Sequence, residues 1–314
     1  MRQNARIYIA GHRGMVGSAI LRAVRAAGYE DVLTRPRDAL DLTSAAAVDA
    51  FFETHRPDYV FLAAAKVGGI LANDTQGGDF IRENLQIQTN VIDAAYRNGA
   101  SKLLFLGSSC IYPKLAEQPI REEALLTGAL EPTNLPYAIA KIAGKTMCDA
   151  YRRQFGFDAF TVMPSNVYGI GDNFDPQTSH VVAGLMRRFH EAQAAGAPEV
   201  VAWGTGSPMR ELVDADDLAD ACLFLMRHYT EGGLVNAGSS QEISIRDLTL
   251  MMAEVTGYRG RVVWDETKPD GTPRKIMDNR VIASMGWKPS TEIRQGLEKM
   301  YAWFVETGGQ RNAA

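Results

Sequence analysis

Tyr137 and Lys141 stand four residues apart in the run PYAIAKIAGK. On a helix that spacing puts a phenol and an ammonium on one face. A phenol titrates near pH ~10, and a neighbouring ammonium favours its ionised form, which brings proton exchange with a sugar or alcohol oxygen toward neutral pH. The spacing alone also occurs on solvated helix faces, so its surroundings must decide its meaning. Ser108 supplies one such surrounding. It follows the apolar run Leu103 to Gly107 and opens SSCIYP, so it belongs at the carboxyl end of a strand, where its hydroxyl can hydrogen-bond a substrate carbonyl beside the phenol.

The elements that must position these groups alternate. Ile7 to Ala10 reads as a strand and Met15 to Ala27 as a helix; Tyr59 to Ala63 and Phe80 to Arg97 repeat the pair; Leu103 to Gly107, Tyr137 to Phe155 and Ala159 to Met163 continue it. This grammar predicts an α/β chain with a Rossmann-type doubly wound parallel sheet and ligands at the carboxyl ends of its strands. Beyond Pro164 the pattern loosens into the loop YGIGDNFDPQTSH, followed by a helix over Val181 to Ala194. Glu211 to Val213, the helical run Asp216 to Arg227 and Leu234 to Ala237 read as a return to the parallel sheet. The expected division is a dinucleotide-binding domain over 1–166 plus about 211–237, and a smaller, discontinuous α/β substrate domain over about 167–210 plus 238–314. Thr307 to Ala314 reads as a loose tail.

GHRGMVG puts Gly11, Gly14 and Gly17 between the first strand and the first helix. Glycines there permit a tight turn and close backbone approach to a pyrophosphate, whose charge meets free amides and the helix dipole. After the second strand, where an acid often holds the ribose of NAD, the chain reads Thr34-Arg35-Pro36-Arg37. Arg13 and Arg37 could hold the 2′-phosphate of NADP from two sides. Asp38 argues the other way, and either arginine could be a surface charge. Asp41 and Leu42 follow where an adenine-binding acid and an apolar wall would stand. With a dinucleotide in place, Lys141 gains a second task, the nicotinamide ribose.

A chain of 314 residues with 46% hydrophobic and 22% charged content and a net charge of −4 can bury a large core and lacks the basic excess of a nucleic-acid binder. No apolar run reaches the roughly 18 residues needed to span a membrane, and the N-terminus lacks a signal-peptide core, so a cytoplasmic location is expected. Cys110, Cys148 and Cys222 form no CxxC and no even-numbered framework. Reduced thiols follow, with Cys148 and Cys222 as packing residues and no metal site.

The glycine loop, the Ser108 strand end and Tyr137/Lys141, in that order, resemble the extended short-chain dehydrogenase/reductase family. The blocks AAAKVGGI (Ala63 to Ile70), GSSCIYPK (Gly107 to Lys114), EPTNLPYAIAKIAGK (Glu131 to Lys145), DNFDPQTSHV (Asp172 to Val181) and KPDGTPRK (Lys268 to Lys275) are similar to its branch that epimerises and then reduces GDP-4-dehydro-6-deoxy-D-mannose with NADPH. The resemblance implies NADP(H) contacts at Gly11, His12, Arg13, Gly14, Met15, Val16, Gly17, Arg37, Asp41, Leu42, Ala64, Leu106, Gly107, Ser108, Ser109, Lys141, Pro164, Ser165, Asn166, Val167 and His180. It implies contacts to the GDP-sugar at Arg188, Trp203, Arg210 and Asp270, and catalytic roles for Ser108, Cys110, Tyr137, Lys141 and His180.

That chemistry is consistent with the residues. A C4 ketone acidifies the C3 and C5 protons, and inversion needs a base on one face of the ring and an acid on the other. A thiol (pKa ~8.5) and an imidazole (pKa ~6.5) bracket the working range. The resemblance makes Cys110 the base and His180 the acid; the residues alone leave the direction open. Arg188 could otherwise be a solvated helix residue beside Arg187, and Trp203 a core residue. Another nucleotide-sugar epimerase or reductase of the same fold, or a non-catalytic NADP-binding sensor, remain the alternatives. By fold analogy, the helices around Asp79 to Arg97 and Tyr137 to Phe155 would form a homodimer interface.

Overall fold

The computed structural model describes residues 1–268, 270 and 272–310, the side chains of Ile70 and Leu71 excepted. Pro269 and Gly271 of the KPDGTPRK block and 311–314 of the expected tail lie outside the described residues.

The first half builds β1 (Ile7–Ala10), α1 (Met15–Ala26), β2 (Val32–Leu33), α2 (Ala45–His55), β3 (Tyr59–Leu62), α3 (Ile70–Thr75), α4 (Gly77–Arg97), β4 (Lys102–Leu106), α5 (Leu135–Phe155) and β5 (Ala159–Pro164). The second half adds β6 (Asn166–Tyr168), α6 (Val181–Ala194), β7 (Glu199–Trp203), β8 (Met209–Asp214), α7 (Ala215–His228), β9 (Gly233–Ala237) and β10 (Glu242–Ser244). It ends with α8 (Ile245–Thr256), β11 (Arg261–Asp265), β12 (Arg274–Lys275), α9 (Arg280–Ser284) and α10 (Ile293–Thr307).

Six parallel strands form the central sheet in the order β2-β1-β3-β4-β5-β9. They are continuous apolar runs such as IYIA, YVFL and the LLFL of β4, because helices cover both faces. One face packs Ile7, Ile9, Phe61, Leu104 and Val162 against α1 and α7; the other packs Tyr8, Val60, Leu62, Leu103 and Phe105 against α2, α4 and α5. The chain leaves β1 to one side for β2 and to the other for β3. That reversal opens a crevice at the carboxyl ends of the strands, where such folds hold their ligands.

β8 corrects the sequence reading. Glu211 to Val213 does not rejoin the central sheet. β8 pairs in parallel with β6 and β12 and antiparallel with β10, as a separate small sheet. Only α7 and β9 return, α7 packing on α1 and β9 on the edge of β5. The reason is register: Asn166↔Leu212 through Tyr168↔Asp214 gives β8 a partner as soon as β5 ends. β7 and β11 form a third, two-stranded parallel sheet. Thr307 still belongs to α10, so the tail begins one residue later than expected.

Candidate active site

Gly11 ends β1 with φ +87°, a conformation open to glycine. Its carbonyl receives the Gly14 amide at 2.9 Å, and a Cβ on Gly17 would lie 2.1 Å from that same oxygen. A Cβ on Gly11 would lie 2.7 Å from Cα of Ala64, at the end of β3. The loop therefore closes on the opening turn of α1, with Gly14 as its cap and Met15 and Val16 half-buried behind it. His12 is buried with Nδ1 unpartnered among the described residues, and burial, then Arg13 and Arg25, push its pKa below the ordinary value.

A cavity of about 390 Å³ lies beside this loop, lined by Gly11, His12, Arg13, Gly14, Arg35, Pro36, Arg37 and Asp38. Arg35 is committed to the Thr34 carbonyl at 2.8 Å and lies over the Phe51 ring. Arg37 is held by Glu83 at 3.3 Å. Arg13 is exposed and makes no hydrogen bond among the described residues. Asp41 serves a local turn: its Oδ1 accepts from the amide and hydroxyl of Thr43 at 3.0 and 2.8 Å, which lowers its pKa. Leu42 packs half-buried on the adjacent core.

At the end of β4, Gly107 has no room for a side chain, since a Cβ there would lie 2.3 Å from Cε of Met163. Ser108 follows in extended backbone and caps a short turn over Ser109 to Ile111, its Oγ accepting from the Cys110 amide at 3.5 Å. The same hydroxyl lies close enough to the Tyr137 phenol and the Cys110 thiol to lower the pKa of each. Two groups expected to belong to separate half-reactions thus share one serine.

The phenol does not behave as the spacing predicted. Burial first, and the nearby Cys110 second, raise its pKa; the Ser108 hydroxyl alone favours phenolate. Lys141, 3% exposed, turns to β4 and donates to the Leu106 carbonyl at 2.8 Å, with its ammonium 4.7 Å from the Phe105 ring centre and 5.9 Å from that of Tyr137. Burial lowers its own pKa to about 8. Phe80 of α4 braces the Tyr137 ring edge-on at 6.2 Å.

Lys275 was missed by the sequence reading. Burial raises the Cys110 thiol, and the foremost group opposing that rise is the Lys275 ammonium, ahead of Ser108 and Lys141. β12 carries Lys275 there in register with Arg210 of β8. The signal was present as the final residue of KPDGTPRK, but no local spacing linked it to the cysteine.

His180 caps α6 after a loop that Gly69 anchors by donating its amide to the Thr178 carbonyl at 3.1 Å. Desolvation lowers its pKa. No hydrogen bond, ion pair or ring contact among the described residues joins its ring to Cys110; Ser108, Cys110, Tyr137 and Lys141 cluster about the end of β4, and His180 stands at the head of α6.

The residues expected to hold a nucleotide sugar lie on α6, at the end of β7, on β8 and between β11 and β12. Arg188 is half-buried and donates to the Val201 carbonyl at 3.1 Å, so it is not a purely solvated residue. Trp203 is 65% exposed, which removes the core reading, and Lys268 lies 5.7 Å from its ring centre. Asp270 accepts from the Thr205 amide and hydroxyl at 3.0 and 2.7 Å, just after Trp203. Arg210 donates to the carbonyls of Met209 and Thr272, each at 2.7 Å. On the dinucleotide side, Pro164 ends β5, Ser165 is buried with its Oγ unpartnered among the described residues, and Asn166 donates to the Glu211 carbonyl at 2.9 Å ahead of Val167. A half-buried phenol and a buried thiol and amine at one strand end, with the half-buried Lys275 of β12 acting on the thiol, can exchange protons with a polarised carbonyl compound.

Residues 7–238 match the model of the NAD dependent epimerase/dehydratase family. The chain is 57% identical over 304 residues to GDP-L-fucose synthase 1 of Arabidopsis thaliana, covering 97% of this chain and 94% of that protein. It is 52% identical over 310 residues to GDP-L-fucose synthase of Escherichia coli, covering 96% and 97%. Among solved structures, a GDP-L-fucose synthetase from Naegleria fowleri bound to NADP superposes with a TM-score of 0.92 at 28% identity, over 98% of this chain and 95% of that one.

Proposed function

The chain belongs to the NAD dependent epimerase/dehydratase family, and from that premise we propose that it converts GDP-4-dehydro-6-deoxy-D-mannose to GDP-L-fucose, by epimerisation at C3 and C5 and then reduction at C4. One observation carries the reading: the Cys110 thiol lies beside the Ser108–Tyr137 pair, so a second proton-transfer group shares the strand end with the reducing one.

The residues fit NADP(H). A side chain at Gly11 or Gly17 would fill the cradle, His12 offers an unpartnered buried nitrogen, and Arg13 and Arg37 line the cavity that would take the 2′-phosphate. When bound, NADPH supplies the hydride for C4. Pro164 to Val167 and Leu106 to Ser109 would border its nicotinamide end. At C3 and at C5 in turn, Cys110 takes the proton from one face and His180 delivers one to the other; Tyr137 protonates the C4 oxygen while Ser108 holds it. Lys141 donates toward the nicotinamide ribose, and Lys275 favours the thiolate. Arg188, Arg210, Trp203 and Asp270 form the GDP end, with residues 1–166 and the α7–β9 segment as the cofactor-binding portion.

Two finer assignments belong to the same reading. A homodimer through α4 and α5 is supported by the exposed Ile139 and Phe155 on α5. A cytoplasmic location is supported by the free, buried Cys110, Cys148 and Cys222. The test is NADPH oxidation with GDP-4-dehydro-6-deoxy-D-mannose, with product stereochemistry read by NMR. Consumption of one NADPH per sugar with inversion at C3 and C5 is expected; turnover without net NADPH consumption would replace the reading with a cofactor-regenerating epimerase.

A further inference from the structure

Glu83 lies on α4, outside every site motif, yet its carboxylate is nearly buried and collects cations from separate segments. Lys66 donates to its Oε1 at 2.8 Å, Arg37 approaches its Oε2 at 3.3 Å, and Arg82 lies 3.7 Å away. These contacts, Lys66 foremost, hold Glu83 below the usual carboxylate range, so it is ionised. The Lys66 loop is in turn fixed to α4, for Asn84 accepts from the Lys66 amide and donates to its carbonyl, both at 3.0 Å. Glu83 is therefore a rigid anion on a rigid helix, whereas the Arg37 side chain it touches is 76% exposed.

We propose that Glu83 is a positioning residue for Arg37, fixing the guanidinium in the cavity beside the glycine loop and thereby setting preference for a dinucleotide with a 2′-phosphate. The inference rests on the NADP reading of that cavity. Two effects oppose each other. A carboxylate near an anion site repels the ligand, but Lys66 at 2.8 Å already compensates this charge; Arg82 also faces Asp79 at 3.4 Å, which leaves Arg37 as the one surplus positive charge of the Glu83 cluster. Against that weakened repulsion stands the cost of ordering a long, exposed arginine, which an anchor removes before the ligand arrives. Anchoring outweighs repulsion, so loss of the carboxylate weakens phosphate selectivity.

The experiment is calorimetric binding of adenosine 2′,5′-bisphosphate and of 5′-AMP to the full chain. Wild type binds the bisphosphate more tightly; no difference there would overturn the NADP reading itself. Glu83→Gln is expected to lower the ratio of the two affinities by roughly 3- to 10-fold while leaving 5′-AMP binding unchanged, and Glu83→Asp to recover part of it. In an Arg37→Ala background, Glu83→Gln should have no further effect on the ratio. That surface substitution, with thermal unfolding of each variant, keeps the test valid if Glu83→Gln folds poorly. An unchanged ratio, an equal loss for both ligands, or a further drop in the Arg37→Ala background would each overturn the positioning role.

Discussion

The Lys141 ammonium donates to the Leu106 carbonyl at 2.8 Å, so strand β4, and not the phenol oxygen, holds the lysine four residues along the helix from Tyr137. Lys141 is buried and Tyr137 half-buried, and each is pushed toward its neutral form: the phenol up, the ammonium down to about 8. In the free enzyme near neutral pH the phenol is a proton donor, the state that reduction of a ketone needs.

The pH dependence follows with a definite sign. Lys141 is charged below about pH 8 and loses that charge above it. The kcat/KM for reduction, which reports the free enzyme, should fall by about tenfold per pH unit on an alkaline limb near pH 8. Lys141→Arg keeps its charge throughout, so its residual activity should lack that limb. A limb unchanged in the arginine variant would show that another group titrates.

Tyr137→Phe removes the proton donor and keeps the ring packed against Phe80. NADPH-dependent reduction should drop by roughly 10²- to 10⁴-fold, while C3 and C5 deuterium exchange, followed by NMR, persists. Near-normal reduction would remove Tyr137 from the mechanism.

Cys110→Ser replaces a thiol by a far weaker acid at the same position. Deuterium incorporation at C3 and C5 should fall by at least about 100-fold, with hydride transfer still detectable. Exchange at the wild-type rate would assign the base elsewhere.

Lys275→Met removes the cation that most favours the Cys110 thiolate. The pH midpoint for alkylation of Cys110 by iodoacetamide should shift upward by about one unit. Cys148 and Cys222, both fully buried, provide internal references whose reactivity should not change.

Gly17→Ala would place a methyl group 2.1 Å from the Gly11 carbonyl. The glycine loop must open to admit it, and NADPH affinity measured by fluorescence should weaken by more than about tenfold. Gly156→Ala is the contrast, a left-handed helix cap with open space around it: it should cost about 1 kcal/mol of stability and leave NADPH affinity unchanged.

Much of this protein is local and was therefore legible. Apolar periodicity marked β1, α1, β4 and α5 because helix and strand faces repeat along the chain, and the glycines of GHRGMVG marked a turn that Gly11 makes at φ +87°. The four-residue spacing placed Tyr137 and Lys141 on one helix face because helical geometry alone fixes that. Three features depended on distance through space. β8 joined β6 instead of the central sheet, since alternation in a strand does not encode which edge it will pair with. Lys275 met Cys110, and Glu83 met Arg37, only because the folded chain brought separate segments together. The direction of the Tyr137 shift was likewise decided by the tertiary structure, because burial disfavours phenolate and a sequence records the neighbour but not the depth.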